Sequence, residues 1–394
     1  MIELSDPLEN PYSVENMQVA YTTLKSGGNG VKSDIEIKAT HYYVRFLPTD
    51  FDELDLLEQD TTLILFDYPL DRKVKKTGTY YHDPSIPYDK VTWQYTTVPI
   101  EYQFPSIQYE IIAELFLNDE NNDRLKSGSF DDLSYEQIEI ESLKLTGNYN
   151  DSLYTSSILK SSWRPSGTIR VHDHILNRQT PVAGAKVRAK NCFKIKESLT
   201  NSIGYFQTES FKNAVDYSIK WERGEYDIRS GTFGQAYYQG PNESKSAWNL
   251  DIGSTGNSFG YATVHRAAYR YHYDNIGGMK RPGVWGKLKY CFFDKDGTGV
   301  NWGNWSLIGI LPDILIYGKD GSTWKASDVI LSTTVHETAH ASHIELMNAG
   351  EIQFSQVSKI IYESWADAVE WYITQLEYFS LGVSNYDVPG GIHR

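Results

Sequence analysis

Two histidines four residues apart, His336 and His340, flank Glu337 in the run H-E-T-A-H. Residues four apart lie one turn above each other on a helix, so both imidazoles project from one face. They can then converge on a single cation at the usual Zn–N distance of about 2.0–2.1 Å. Glu337, next to the first histidine, leans into the same cleft. There its carboxylate can take a proton from an attacking water and pass it to a leaving group. The competing reading of this spacing is two surface histidines on an ordinary helix. His343 lies on the same segment, seven positions after His336, which is about 10.5 Å along a helix axis. Imidazoles are too short to span that distance to one ion, so His343 is expected to stay out of the ligand set and line a cleft or touch substrate.

A catalytic zinc takes three protein ligands and leaves its fourth position open. Twenty-three residues beyond His340, the run Glu363-Ser364-Trp365-Ala366-Asp367 puts two more carboxylates four apart. An H-E-x-x-H helix followed by a second helix bearing E-x-x-x-D resembles the gluzincin metallopeptidases. The resemblance implies that Glu363 is the third ligand and that Asp367 orients a ligand histidine from behind. Without it, Glu363 and Asp367 read as a solvated acidic face that Glu370 extends. The strand-like run Asp313 to Gly318, DILIYG, stands where zincins carry the edge strand that pairs with an extended substrate. Ile314 and Ile316 are therefore candidate cleft residues, against the plainer reading of an ordinary core strand. The pattern H-E-x-x-H-x-x-G-x-x-H is absent, so a metzincin is excluded. No transition-state donor can be chosen by spacing among Tyr362, Tyr372, Tyr378 and Tyr386.

Periodicity identifies the elements that must position these residues. Helical spacing marks SFGYATVHRAAYRYHYD, ASDVILSTTVHETAHASHIELMNAG and VSKIIYESWADAVEWYITQLEYFSLG, the last two ended at Gly350 and Gly382. Together with loops they predict a mainly α-helical, zincin-like catalytic domain over residues 226–394. Residues 161–225 read as short alternating strands with turn residues between them. The run P-V-A-G-A-K-V with a later G-Y-F resembles the transthyretin-like, carboxypeptidase-regulatory β-sandwich found beside many secreted bacterial enzymes. His172 and His174 share one face of a strand there and read as exposed histidines. Residues 1–160 begin with a helix that Ser13 can cap and continue as IEIKATHYYVRFLP, TTLILFDYPL, VTWQYTTVPI and YEIIAELFL, all strand-like. Acidic stretches such as DFDELDLLEQD between them read as solvated loops or short helices. The expected whole is a multidomain α+β protein: an N-terminal α+β domain of unknown role, a small all-β sandwich, and the helical catalytic domain.

The 394 residues suffice for two or three cores, and the formal net charge of −14 leaves no basic face for a nucleic acid. No apolar run reaches the ~18 residues of a membrane span. The start MIELSDPLENPYS lacks the apolar core of a signal peptide, although the sandwich resemblance implies a secreted, periplasmic or cell-surface protein. A lipid anchor on a removed leader stays compatible with that. The two cysteines, Cys192 and Cys291, are far apart and read as buried thiols, with one disulfide as the alternative. The expected function is zinc-dependent hydrolysis of a peptide or protein substrate with Zn2+ as cofactor. The alternatives are a zinc hydrolase of a cell-wall or glycoconjugate amide, and a non-catalytic surface adhesion module on a zincin fold.

Overall fold

A computed structural model describes residues 1–26, 36–117, 133–149, 162–283, 286–301, 313–346 and 358–387. The first region carries α1 (Val14–Ser26), α2 (Phe51–Gln59) and α3 (Tyr135–Leu145). Ser13 Oγ accepts the backbone N–H of Asn16 at 3.2 Å, the expected N-terminal cap of α1. The acidic stretch that read as a loop or short helix is α2; Leu54 and Leu57 bury one face and Asp50 caps the start. Strands β2 (His41–Phe46), β4 (Gln94–Pro99) and β5 (Tyr109–Leu115) form an antiparallel sheet in the order β4-β2-β5. The run TTLILFDYPL contributes one isolated bridge, Phe66 to Tyr95, and no strand. The short β1 (Glu3–Leu4) and β3 (Val74–Lys76) pair alongside.

The next region does form short strands, but its sheets draw on residues well past 225. One sheet runs β10-β6-β15, with β7 beside β6; these are β6 (Ser166–Asp173), β7 (Arg178–Pro181), β10 (Tyr205–Gln207) and β15 (Trp248–Ile252). The other runs β14-β11-β8-β9, with β8 (Lys186–Asn191), β9 (Lys194–Leu199), β11 (Val215–Lys220) and β14 (Tyr237–Glu243). Ile169 and Val171 of the first sheet and Val187, Tyr217 and Ile219 of the second belong to one buried core.

The expected mainly α-helical catalytic domain is not what residues 226–394 form. A six-stranded mixed sheet lies at their centre, in the order β13-β12-β16-β18-β17 with β19 beside β18. Its strands are β12 (Tyr226–Ser230), β13 (Gly234–Gln235), β16 (Leu288–Asp296), β17 (Val300–Asn301), β18 (Ile314–Asp320) and β19 (Thr323–Trp324). The three predicted helices exist as α4 (Asn257–Tyr273), α5 (Ser327–Leu346) and α6 (Lys359–Ser380). The strand-like run Asp313 to Gly318 is β18, whereas β12 and β16 carry no such signal, for a physical reason. β12 is buried along its whole length and β16 along its first half, and they pair in parallel. Such strands lack the alternation of a half-exposed one. β12 even carries Asp227 and Arg229, which pair with each other inside the core and disguise it as polar.

Candidate metal centre

The H-E-T-A-H run sits in the middle of α5, and the packing of that helix aims it. Leu331, Val335 and Ala339, at i, i+4 and i+8, are buried against Ala267 and Tyr271 of α4 and Ala366, Val369 and Ile373 of α6. Another face is buried but polar. Thr334 and Thr338 Oγ1 each donate to the carbonyl four residues back at 2.7 Å, and Tyr290 OH pairs with Thr338 Oγ1 at 2.9 Å. With those faces committed, His336 and His340 can only turn toward α6. The start of α5 is held as well: Ser327 N–H donates to His174 Nδ1 at 3.1 Å, and His174 N–H donates to Ser327 Oγ at 2.8 Å. His174 is exposed, as read from the sequence, but it lies just past β6 and also anchors the helix, and its ring stands 5.0 Å from that of His172.

Three donor atoms meet between α5 and α6. His336 Nε2 and His340 Nε2 are 3.2 Å apart, and Glu363 Oε2 lies 3.3 Å from the first and 3.5 Å from the second. The point equidistant from the three is about 1.9 Å from each, close to a metal–nitrogen bond length. The described residues therefore contain a group able to hold a metal ion. Behind it, His336 Nδ1 donates to Glu370 Oε2 at 3.0 Å, with Asp367 Oδ1 at 3.3 Å. That hydrogen bond holds a proton on Nδ1, so that the neutral, metal-binding form of the ring turns its Nε2 lone pair inward.

The electrostatics call for positive charge in this place. Burial alone disfavours an imidazolium at His336, but the hydrogen bond to Glu370 and the charges of Glu337, Glu370 and Asp367 outweigh it and push the pKa up to about 9. At His340 burial and the neighbouring His336 act together and push it down to about 3. His340 Nδ1 is buried with no hydrogen-bond partner, so this imidazole lacks the bracing that His336 has.

Glu337 is 7 % exposed, and a Cβ added to Gly299 would come within 2.6 Å of its Oε1. The chain entering β17 therefore lies close over this carboxylate, and a side chain at position 299 would require Glu337 and Thr333 to shift. His343 lies off the donor set, its ring 5.3 Å from that of Trp365 between the two helices. Of the four tyrosines, Tyr378 and Tyr386 donate to buried Asp173 and Asp328, and Tyr372 packs at Gly277. Tyr362 is the one beside the site, its ring 5.4 Å from that of His340.

Two readings of the sequence need revision. Ile314 and Ile316 are fully buried in the central core, not in a cleft. Their strand, β18, is internal: β17 pairs antiparallel along it through Val300 and Asn301 and is the outer strand among the described residues. Glu370, which reads from sequence as an extension of a solvated acidic face, is the closest partner of His336 Nδ1. The signal was present, because Glu363, Asp367 and Glu370 are spaced i, i+4, i+7 along one helix face. Cys192 and Cys291 are both free thiols. No family model matches the chain, and no curated protein or solved structure is significantly similar to it.

Proposed function

We propose that the protein is a zinc-dependent peptidase of gluzincin type, with His336, His340 and Glu363 holding the metal. The observation that carries this reading is the triangle of donor atoms. Four ligands at about 2.0–2.1 Å in a tetrahedron are about 3.3–3.4 Å apart, and the three edges here are 3.2, 3.3 and 3.5 Å. Two nitrogens and one carboxylate oxygen with one open vertex are the donor set of a hydrolytic zinc site rather than a closed structural one. When bound, zinc would supply Lewis-acid polarisation of a scissile carbonyl.

The remaining work falls to the chain's own residues. Glu370, with Asp367 beside it, holds the His336 ring in the orientation that keeps Nε2 inward. Glu337 neighbours the donor set without joining it, and its carboxylate would take the proton of the attacking water and return it to the leaving amine. The strand β17, close to Glu337, offers backbone to an extended peptide. This assigns the edge-strand role to Val300 and Asn301.

The test is metal content and turnover measured on one preparation. About one zinc per chain is expected, with cleavage of a denatured protein mixture that a strong chelator abolishes. Glu337→Gln should retain the metal and lose about 10²–10⁴-fold in rate. A well-folded sample without stoichiometric metal, or a Glu337→Gln variant as active as the parent, would refute the proposal. Muropeptides and glycopeptides in the same assay report whether the amide hydrolysed belongs to a peptide.

A further inference from the structure

Strand β8 carries three cations on alternate residues, and only two of them have carboxylate partners. Lys186 Nζ pairs with Glu222 at 2.5 Å and Arg188 Nε with Glu197 at 2.6 Å. Lys190, the third, is 7 % exposed, and its ammonium makes one hydrogen bond, to the Leu70 carbonyl at 3.3 Å. Asp216 is its register partner on β11, yet no ion pair forms between them; Asp216 instead accepts a hydrogen bond from Asn242 at 2.8 Å. An ammonium has three protons to donate, and burying it on a single carbonyl, outside any ion pair, is costly. A fold keeps such a group where something else supplies the charge.

Space for that something adjoins it. Lys190 forms part of the wall of a cavity of about 420 Å³ between the N-terminal region and the β14-β11-β8-β9 sheet. This is within the range of small-molecule sites, roughly 300–1,000 Å³. Lys73 is a second cation on the wall, and Phe66, Tyr68 and Tyr217 supply aromatic surface. Asp216 is the one carboxylate of the lining, so two positive charges face one negative. Both lysines act on the Cys192 thiol at the same wall, lowering a pKa that burial otherwise pushes up. Their fields therefore meet in this volume.

We propose that the cavity binds a small carboxylate-bearing molecule, its carboxylate on Lys190 and Lys73 and its body against the aromatic wall. The carboxylate completes the open donor positions of Lys190 with charge-assisted bonds. The body is of amino-acid or monosaccharide size, so amino-acid-derived and sugar acids are the two sources to separate. None of the residues invoked belongs to the metal centre, so binding here is independent of hydrolysis there.

Calorimetric titration and thermal melting of the full-length protein test this with matched pairs: N-acetylphenylalanine against its carboxamide, and glucuronate against glucose. One acid should bind and raise the melting temperature, with its neutral counterpart weaker by about tenfold or more. The pair that shows the difference identifies the source. Lys190→Met keeps the aliphatic stem and should cost about tenfold in affinity, with the metal content unchanged. Should that variant fail to fold, Lys73→Met on the exposed side of the wall takes its place, with a smaller loss expected. Acids that bind no better than their neutral partners, or binding indifferent to both lysines, would overturn the proposal.

Discussion

Two carboxylates compete for one imidazole nitrogen at the centre, and the distances rank them. Glu370 accepts from His336 Nδ1 at 3.0 Å, whereas Asp367 lies at 3.3 Å. The shorter contact marks Glu370 as the main orienting group, with Asp367 adding negative charge from one turn earlier. Removing a partner behind a ligand histidine typically weakens metal binding about 10–100-fold. Glu370→Ala should fall in that range, Asp367→Ala should cost less, and Glu363→Ala should exceed both by removing a donor atom outright. His343→Ala should leave affinity nearly unchanged. Zinc dissociation constants for the four variants check the order; a larger loss in Asp367→Ala than in Glu370→Ala would reverse the assignment.

The third donor depends on where α6 is held. Arg266 of α4 reaches Asp173 of β6 and Glu377 of α6, at 3.0 Å in each case, and Tyr378 OH donates to the same Asp173 oxygen at 3.2 Å. Asp173 and Arg266 are buried, so this cluster fastens the distal half of α6 to the first sandwich sheet. Arg266→Met would leave Asp173 without its cation in the core. Breaking such a buried pair costs on the order of 3–5 kcal/mol. The variant should therefore melt well below the parent and also bind zinc more weakly, because Glu363 rides on the helix it loosens. A melting temperature within a degree or so of the parent would show that the cluster does not hold α6.

Across the whole molecule the regions are not independent beads. One core runs from Ile169 and Val171 of β6 through Tyr226 and Tyr290 of the central sheet to Ile330 of α5. Lys220 Nζ lies 2.6 Å from Glu58 and 2.7 Å from Glu222, and Lys287 Nζ lies 2.6 Å from the same Glu58. This buried alternation of charge locks α2 to β11 and to the chain entering β16. A fragment of residues 161–225 would lack β14 and β15 and leave both sandwich sheets incomplete. Acid should unfold the molecule as a unit. Burial pushes the pKa of both His265 and His272 down to about 3, with Arg223 and Arg281 respectively adding to the effect. Unfolded, these rings take up protons near pH 6.5, so between about pH 6.5 and 3 the unfolded chain binds more protons. Stability therefore falls as the pH drops through that window. Melting temperatures from pH 8 to 4 should decline below about 6.5, and the two rings should show no NMR titration above pH 5. Titration of either ring near 6.5 in the folded protein would refute this.

Much of the centre was legible before any fold was known, because helix geometry converts spacing directly into shared direction. His336 with His340, and Glu363 with Asp367 and Glu370, each follow from a period of 3.6 residues, and the three C-terminal helices lie within the segments their patterns mark, the expected stop at Gly350 falling outside the described residues. The capping of α1 by Ser13 is equally local. Tertiary structure decided what depends on partners distant in the chain. β12 and β16 pair in parallel within the interior, so their residues show neither alternation nor uniform apolarity, and the mainly helical domain expected there is built around a sheet. Ile314 and Ile316 fit a cleft or a core strand equally by pattern, and the pairing of β17 outside their strand decides for the core. The choice of Glu370 over Asp367 rests on 0.3 Å set by the packing of α5 on α6. The lone charge of Lys190 is visible only once Glu222 and Glu197 are seen to serve its neighbours on β8. Spacing along one helix is a local property that sequence carries; pairing between elements is a property of the folded whole.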